Sequence, residues 1–330
     1  MKRIVSGIQP TGFLHLGNYL GSIKQWVELQ KEYESFLFLA DLHAITVPQD
    51  PEALRRSVRV TAATYIACGI DPNKSAIFAQ STVHEHAELG WILNCMTPIG
   101  WLNRMVQFKD KAGKDKEKAS LGLYSYPVLQ AADVLLYKAD IVPVGEDQKQ
   151  HIELARDIAG AFNRRVEQDY FPLPEPRIMG VATRIMSLRD GTKKMSKSDP
   201  SEYSRIHLND DADTILKKFQ KAKTDALPEI SYDEENRPDL ANLINIYSAI
   251  TTLSKEQIVE NYIGKGFAAF KKELAENVIE HLRPITQKLN DLLEDTVYID
   301  NILKQGAMRA RSVASIHLKE VKELLGFLVI

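Results

Sequence analysis

The chain has 330 residues, with 42 Lys and Arg against 44 Asp and Glu, and it is 44% hydrophobic and 26% charged. That balance describes a globular protein and excludes a disordered tail, a fibrous coil or a broadly basic nucleic-acid coat. No apolar run approaches the roughly 20 residues of a membrane helix, and Met1 to Val5 lead straight into a strand-like segment, so a cytoplasmic protein with no membrane partner is expected.

A chain this long exceeds what one core usually serves, which favours two domains. Cys68 and Cys95 sit in apolar, helix-like stretches without Cys-x-x-Cys or Cys/His clustering. Buried free thiols are expected, with no disulfide framework, no zinc and no iron–sulfur cluster. Charge is uneven: 25 basic against 22 acidic residues from Met1 to Ser198, and 17 against 22 from Asp199 to Ile330. The densest cationic stretch holds Arg104, Lys109, Lys111, Lys114, Lys116 and Lys118. Both a solvated loop and a phosphate site fit it.

Ile4 to Gly7 is an apolar run broken by Gln9-Pro10-Thr11-Gly12, after which Leu20, Ile23 and Val27 recur at helical spacing. Phe36 to Ala40 forms a second buried strand, Pro51 opens a helix to Cys68, and Ser75 to Ala79 forms a third strand. Tyr126 to Tyr137 is helical, Ile141 to Val144 is a fourth strand, and Ile152, Ala155, Ala159 and Phe162 mark the next helix. Such alternation predicts an α/β fold with a doubly wound parallel sheet, whose ligands bind beyond the C-terminal strand ends. After Pro200 only helices are expected: Asp213–Lys221, Leu240–Thr252, Lys255–Tyr262 and Phe267–Glu294. The predicted organisation is a sheet domain over 1–190, a mobile loop over 191–200 and an all-helical domain over 201–302. A final amphipathic helix over 303–328 would pack back on the sheet.

The turn Gly7 to Asn18 delivers His15 and Gly17 to a helix start, where free N–H groups and the dipole favour a phosphate. A capped helix with an incidental histidine fits equally well. Lys193-Lys194-Met195-Ser196-Lys197-Ser198 lies between Gly191 and Pro200 and offers cations and hydroxyls to a triphosphate that loses pyrophosphate. A solvated basic turn is the alternative.

Together, the His-x-Gly turn and Lys-Met-Ser-Lys-Ser resemble the paired signatures of class I aminoacyl-tRNA synthetases. Gly145-Glu146-Asp147-Gln148, Asp41-Leu42-His43-Ala44 and Gln9-Pro10-Thr11-Gly12 make the chain similar to the bacterial-type tryptophanyl-tRNA synthetase family along essentially its whole length. Asn18 departs from the general class I pattern, and Gln130 stands where many family members carry Met.

The resemblance implies a Rossmann-like catalytic domain and a C-terminal anticodon-binding domain. It implies a ligase that forms tryptophanyl-adenylate and then charges tRNA, acting as a homodimer. Asp133 would read the amino acid, because indole offers one N–H and no acceptor and a carboxylate only accepts. Leaving that acceptor unpaired would penalise phenylalanine. His43 and Gln107 would line the same pocket.

For ATP the resemblance implies Gln9, Pro10, Thr11, Gly17 and Asn18 at the phosphate and adenosine end. Gly145, Glu146, Asp147 and Ile185 would hold ribose and adenine. Lys194, Met195, Ser196, Lys197 and Ser198 would meet the departing pyrophosphate, with Lys111 as an added phosphate contact. His15, Lys194 and Lys197 are the expected catalytic groups. Mg²⁺ would arrive on the ATP phosphates, since no acidic cluster has ligand spacing. Tyrosyl-tRNA synthetase, a metabolite adenylyltransferase and a silent tRNA-binding paralogue are the rival readings.

Overall fold

The computed structural model describes residues 2–105, 119–145, 148–178 and 184–328. Five strands, β1 (Arg3–Ile8), β2 (Glu34–Leu39), β3 (Ser75–Ala79), β4 (Ile141–Val144) and β5 (Glu175–Ile178), form one parallel sheet in the order β3-β2-β1-β4-β5. Strand side chains divide by the period of two. Phe36, Phe38, Ala76 and Phe78 enter the core on one face, while Leu37, Leu39 and Ile77 enter that on the other. Both faces are therefore covered by helices, as continuous apolar strands require.

β5 was not expected. Its sequence, Glu175-Pro176-Arg177-Ile178, carries a proline at the sheet edge, where a missing N–H is tolerated. Also unexpected is the antiparallel pair β6 (Met186–Ser187) and β7 (Asp190–Lys194). β7 has no apolar alternation; the neighbouring helix Pro238–Ile250 holds the pair in place. Asn242 Oδ1 accepts from Met186 N at 2.8 Å, its Nδ2 donates to Met186 O at 3.0 Å, and Asp239 Oδ1 accepts from Gly191 N at 2.6 Å.

Gly191 thus serves close approach. A Cβ there would stand 2.4 Å from Pro238 C. The Lys-Met-Ser-Lys-Ser segment accordingly begins as strand through Lys194 and becomes loop only after it.

Helices Ala212–Gln220, Pro238–Ile250, Lys255–Asn261 and Gly266–Glu294 follow. Their core is continuous with one sheet face: Leu37 and Ile77 belong to the same buried cluster as Phe270, Leu282 and Leu289. The last helix, Thr296–Leu324, begins earlier than 303 and lies against β3. Its own Ala310, Ala314 and Val321 are fully buried on its inner face. A Cβ on Gly306 would meet Ile77 O at 1.9 Å, so glycine permits this contact. Arg309 donates to the Pro72, Asn73, Lys74 and Ser75 carbonyls at 3.0–3.4 Å, closing the sheet's edge. Among the described residues no helix is long and apolar enough to cross a membrane.

Candidate active site

Strand order reverses between β1 and β4, and a cleft of ≈ 1200 Å³ opens at their C-terminal ends, the position at which open α/β sheets bind ligands. Gly7 near the end of β1, Gln9 just after it and Gly145 after β4 form its floor, while Asn242, Asn245 and Lys255 from the helical region form its far wall. Gly7 cannot carry a side chain, since a Cβ would lie 2.6 Å from Phe38 O on β2.

At one end the chain turns through Gly12, whose φ of 89° suits glycine, and enters a helical segment over 16–29 that includes a π turn at Tyr19–Ile23. His15 is its N-cap. Its Nδ1 accepts from Asn18 N at 3.3 Å, and Asn18 Oδ1 accepts from His15 N at 3.1 Å. The capped-helix reading holds, and with Nδ1 accepting, the imidazole proton sits on Nε2 as a donor. Burial, reinforced by Lys197, His207, Arg205 and Lys194, pulls the His15 pKa down to about 3, so the ring stays neutral. Behind it, Leu16 N donates to Ile206 O at 2.8 Å and Leu208 N to Leu14 O at 3.0 Å.

Lys197 is half-buried at the rim and donates to Gln9 O at 3.3 Å and Gly12 O at 3.4 Å. These long contacts are easily exchanged for phosphate oxygens. Burial lowers its pKa to about 8. Lys194 and Met195 border the cleft, Met195 with its side chain in the core, while Ser196 and Ser198 pair hydroxyl to hydroxyl at 2.9 Å.

At the other end Asp133, on helix Leu121–Leu135, is fully buried yet borders the cleft. The sequence around it promised little polar company, but other elements supply three donors. His43 Nε2 lies 2.7 Å from Oδ2, and Gln80 Nε2 and His86 Nδ1 lie 2.6 and 2.7 Å from Oδ1. Burial raises the carboxyl pKa, but His43 and His86 outweigh it and hold the group at about 2. The cleft thus holds an anionic acceptor in a buried, aromatic pocket at one end and a neutral histidine at a helix start at the other, an arrangement whose first end suits a flat ring bearing one N–H.

The family described as tRNA synthetases class I (W and Y) matches residues 1–283. The chain belongs to that family. The tryptophan–tRNA ligase of Rickettsia bellii is 59% identical over 99% of both chains, and that of Caulobacter vibrioides is 55% identical over 98% of this chain and 95% of its own. Among solved structures, tryptophanyl-tRNA synthetase from Mycoplasma pneumoniae superposes with a TM-score of 0.89 at 35% identity, covering 99% of this chain and 98% of its own. The Campylobacter jejuni enzyme, complexed with ADP and tryptophan, gives 0.83 at 38%, covering 98% and 100%. Tyrosyl-tRNA synthetase from Aeropyrum pernix, at 22% identity and 0.66, shares the fold.

Of the positions that the class I synthetase resemblance singled out, Gln9, His15, Gly17, Asn18, His43, Asp133, Gly145, Ile185, Lys194 and Met195 border this one cleft. Pro10, Thr11, Ser196, Lys197 and Ser198 are outside its lining, following Gln9 and Met195 in the chain. Gln107, Lys111, Glu146 and Asp147 lie outside the described residues, as do Lys109, Lys114, Lys116 and Lys118 of the basic stretch. Gln130, the departure from the family pattern, donates to Gln148 Oε1 at 3.2 Å, and both border the cleft.

Sequence reasoning missed Gln80 and His86, whose link to Asp133 spans 53 and 47 positions and follows no local spacing. It also misplaced Cys95, which is exposed, not buried, because it caps the C-terminal end of helix Glu85–Asn94; Cys68 is half-buried. Among the described residues no group of three or more His, Cys, Asp or Glu is arranged to hold a metal ion.

Proposed function

We infer that this cleft carries out both steps of joining tryptophan to its tRNA. The chain acts as an ATP-dependent tryptophan–tRNA ligase, as its relatives at 50–59% identity over nearly its whole length are named. In the first step the tryptophan carboxylate attacks the α-phosphorus of ATP and pyrophosphate leaves. In the second, the tryptophanyl group passes from the adenylate to a ribose hydroxyl of the tRNA's terminal adenosine. No side-chain nucleophile is needed; the protein positions the reactants and neutralises charge.

The observation that carries the reading is the buried anionic Asp133, ready to accept the indole N–H. His43 walls the ring, and Gln107 is proposed to join it. His15 Nε2–H and the helix start at Gly17 and Asn18 meet the ATP phosphates, and Gln9, Pro10 and Thr11 frame them. Gly145, Glu146, Asp147 and Ile185 take ribose and adenine. Lys194 and Lys197, with Met195, Ser196 and Ser198, follow the departing pyrophosphate, and Lys111 adds a phosphate contact. Mg²⁺ enters on the ATP phosphates.

For tRNA, the reading assigns the anticodon to the helical region 201–302 and the approaching backbone to Lys114, Lys116 and Lys118. It includes a homodimer with one tRNA spanning both subunits, in the cytoplasm. An apolar patch supports the dimer: Ile45, Trp91, Ile99 and Leu121 are all more than half exposed.

Exchange of labelled pyrophosphate into ATP, with each amino acid in turn, is the test. Tryptophan alone should support it, followed by charging of tRNA. Exchange with tyrosine in its place would replace this reading with the tyrosyl one.

A further inference from the structure

The Asp133 carboxylate offers about four lone-pair positions, of which Gln80 and His86 fill two on Oδ1 and His43 fills one on Oδ2. One acceptor position is left, on Oδ2. His43 borders the cleft, but Gln80 and His86 do not; both are fully buried behind the carboxylate. Because His86 Nδ1 faces an acceptor-only group, the ring donates there. Its Nε2 lies 2.8 Å from the Tyr137 hydroxyl and accepts from it. Tyr137 is itself locked: it has no exposed surface, and its ring stacks on Phe36 with centroids 4.5 Å apart. Donation therefore runs one way, from Tyr137 to His86 to Asp133.

We propose that His86, oriented by Tyr137, is a positioning residue for amino-acid selection: it fixes the Asp133 carboxylate so that a single acceptor faces the substrate's indole N–H. This rests on the tryptophan reading above. Without His86, Oδ1 gains an unpaired lone pair in a dry site, and the carboxylate is free to rotate or to take up a proton. The other polar and titratable groups around it are His43, Gln80, Tyr137, Glu85 beside His86, and the Tyr126–His151 pair, joined at 2.9 Å.

The test compares tryptophan with its sulfur isostere, a benzothiophene alanine lacking the N–H, in pyrophosphate exchange. His86→Leu should narrow the kcat/KM preference for tryptophan about tenfold, the equivalent of one hydrogen bond, with ATP KM nearly unchanged. The acid-side rise of tryptophan KM should begin at higher pH than in the unmodified protein, because a carboxylate that loses a donor protonates more readily. His86→Asn, which keeps a donor near Nδ1, should restore most of the preference. Tyr137→Phe, the loss of one oxygen from an intact ring, should move it in the same direction by less.

Equal losses for both substrates, or an unmoved preference in His86→Leu and Tyr137→Phe alike, would overturn the proposal. If His86→Leu does not fold, Tyr137→Phe decides. Failure of the unmodified protein to use tryptophan would instead overturn the functional reading itself.

Discussion

Lys197 is a cation that its surroundings make easy to lose: burial lowers its pKa to about 8. A lysine is charged below its pKa, so adenylate formation should fall as pH rises through about 8 in kcat/KM for ATP, with the limb in kcat displaced upward once phosphates favour the charged form. Lys197→Arg should remove the limb from kcat/KM; an unmoved limb would assign it to another group. Lys197→Ala should slow adenylation by roughly two orders of magnitude while transfer from preformed adenylate is nearly spared, as expected for a donor used at the transition state. Pre-steady-state separation of the two steps checks this, and a pure ATP KM effect would make Lys197 a ground-state clamp. At the amino-acid end, Asp133→Ala should cost roughly ten- to a hundredfold in kcat/KM for tryptophan and weaken discrimination against phenylalanine, the scale of a charged hydrogen bond. Unchanged selectivity in the folded variant would refute its role. The place of Asp133 on the cleft was legible in the sequence because a family pattern carries it; the His86 contact was not, because it joins two helices far apart in the chain.

Elements differ in how openly the sequence announces them. Ser75–Ala79 and Ile141–Val144 are strands in sequence and structure alike, because a short apolar run bounded by polar residues has few alternatives. β5 and β7 were hidden, one by Pro176 and the other by its lysines, and each is made by its neighbours. The far end of the Lys-Met-Ser-Lys-Ser segment depends equally on a tertiary contact. Arg205, 5% exposed, donates through Nη1 to Asp199 O at 2.7 Å and Ser201 O at 3.3 Å and through Nε to His207 Nε2 at 3.1 Å. Because Ile206 and Leu208 are joined to Leu16 and Leu14, this arginine connects the loop's end to the His15 turn. Ser201 O also accepts from Ser204 N and Oγ, so Arg205→Met should leave only the Asp199 carbonyl unpaired, at a cost of about 1–3 kcal/mol of stability. It should slow adenylation more than transfer to tRNA. Denaturant unfolding with the separated steps provides the readout; equal slowing of both would reduce Arg205 to a general support. Gly191→Ala would push β7 off helix Pro238–Ile250, since its Cβ meets backbone on both Pro238 and Asp239 within 2.5 Å.

For the whole molecule, the sequence conveyed the division into sheet and helices but not their shared core, because burial between remote helices leaves no local period beyond amphipathicity. It also gave no sign that helix Glu85–Asn94 keeps Trp91 71% exposed while burying Leu89 and Leu93. Trp91, Ile99 at 67% and Leu121 at 79% are all exposed, on helices that pack together. The Glu85–Asn94 and Ile99–Leu102 helices both pack on Leu121–Leu135, Tyr124 OH donates to Ile99 O at 3.3 Å, and Ser120 Oγ donates to Thr46 O at 3.0 Å beside exposed Ile45. A surface of this kind is where the proposed second subunit would sit, and an exposed tryptophan there would carry a large share of the binding energy. Trp91→Glu removes no core contact and buries no charge in the monomer, so the fold should persist. Subunit affinity should fall about thirtyfold or more, the scale of a hot-spot residue, and sedimentation equilibrium would then find monomer at concentrations where the unmodified protein is dimeric. Because Asp133 and the patch residue Leu121 share one helix, loss of the partner should also loosen the tryptophan pocket and raise tryptophan KM more than ATP KM. An unmodified protein that sediments as a monomer, or a Trp91→Glu variant that remains dimeric, would place the second subunit elsewhere or remove it.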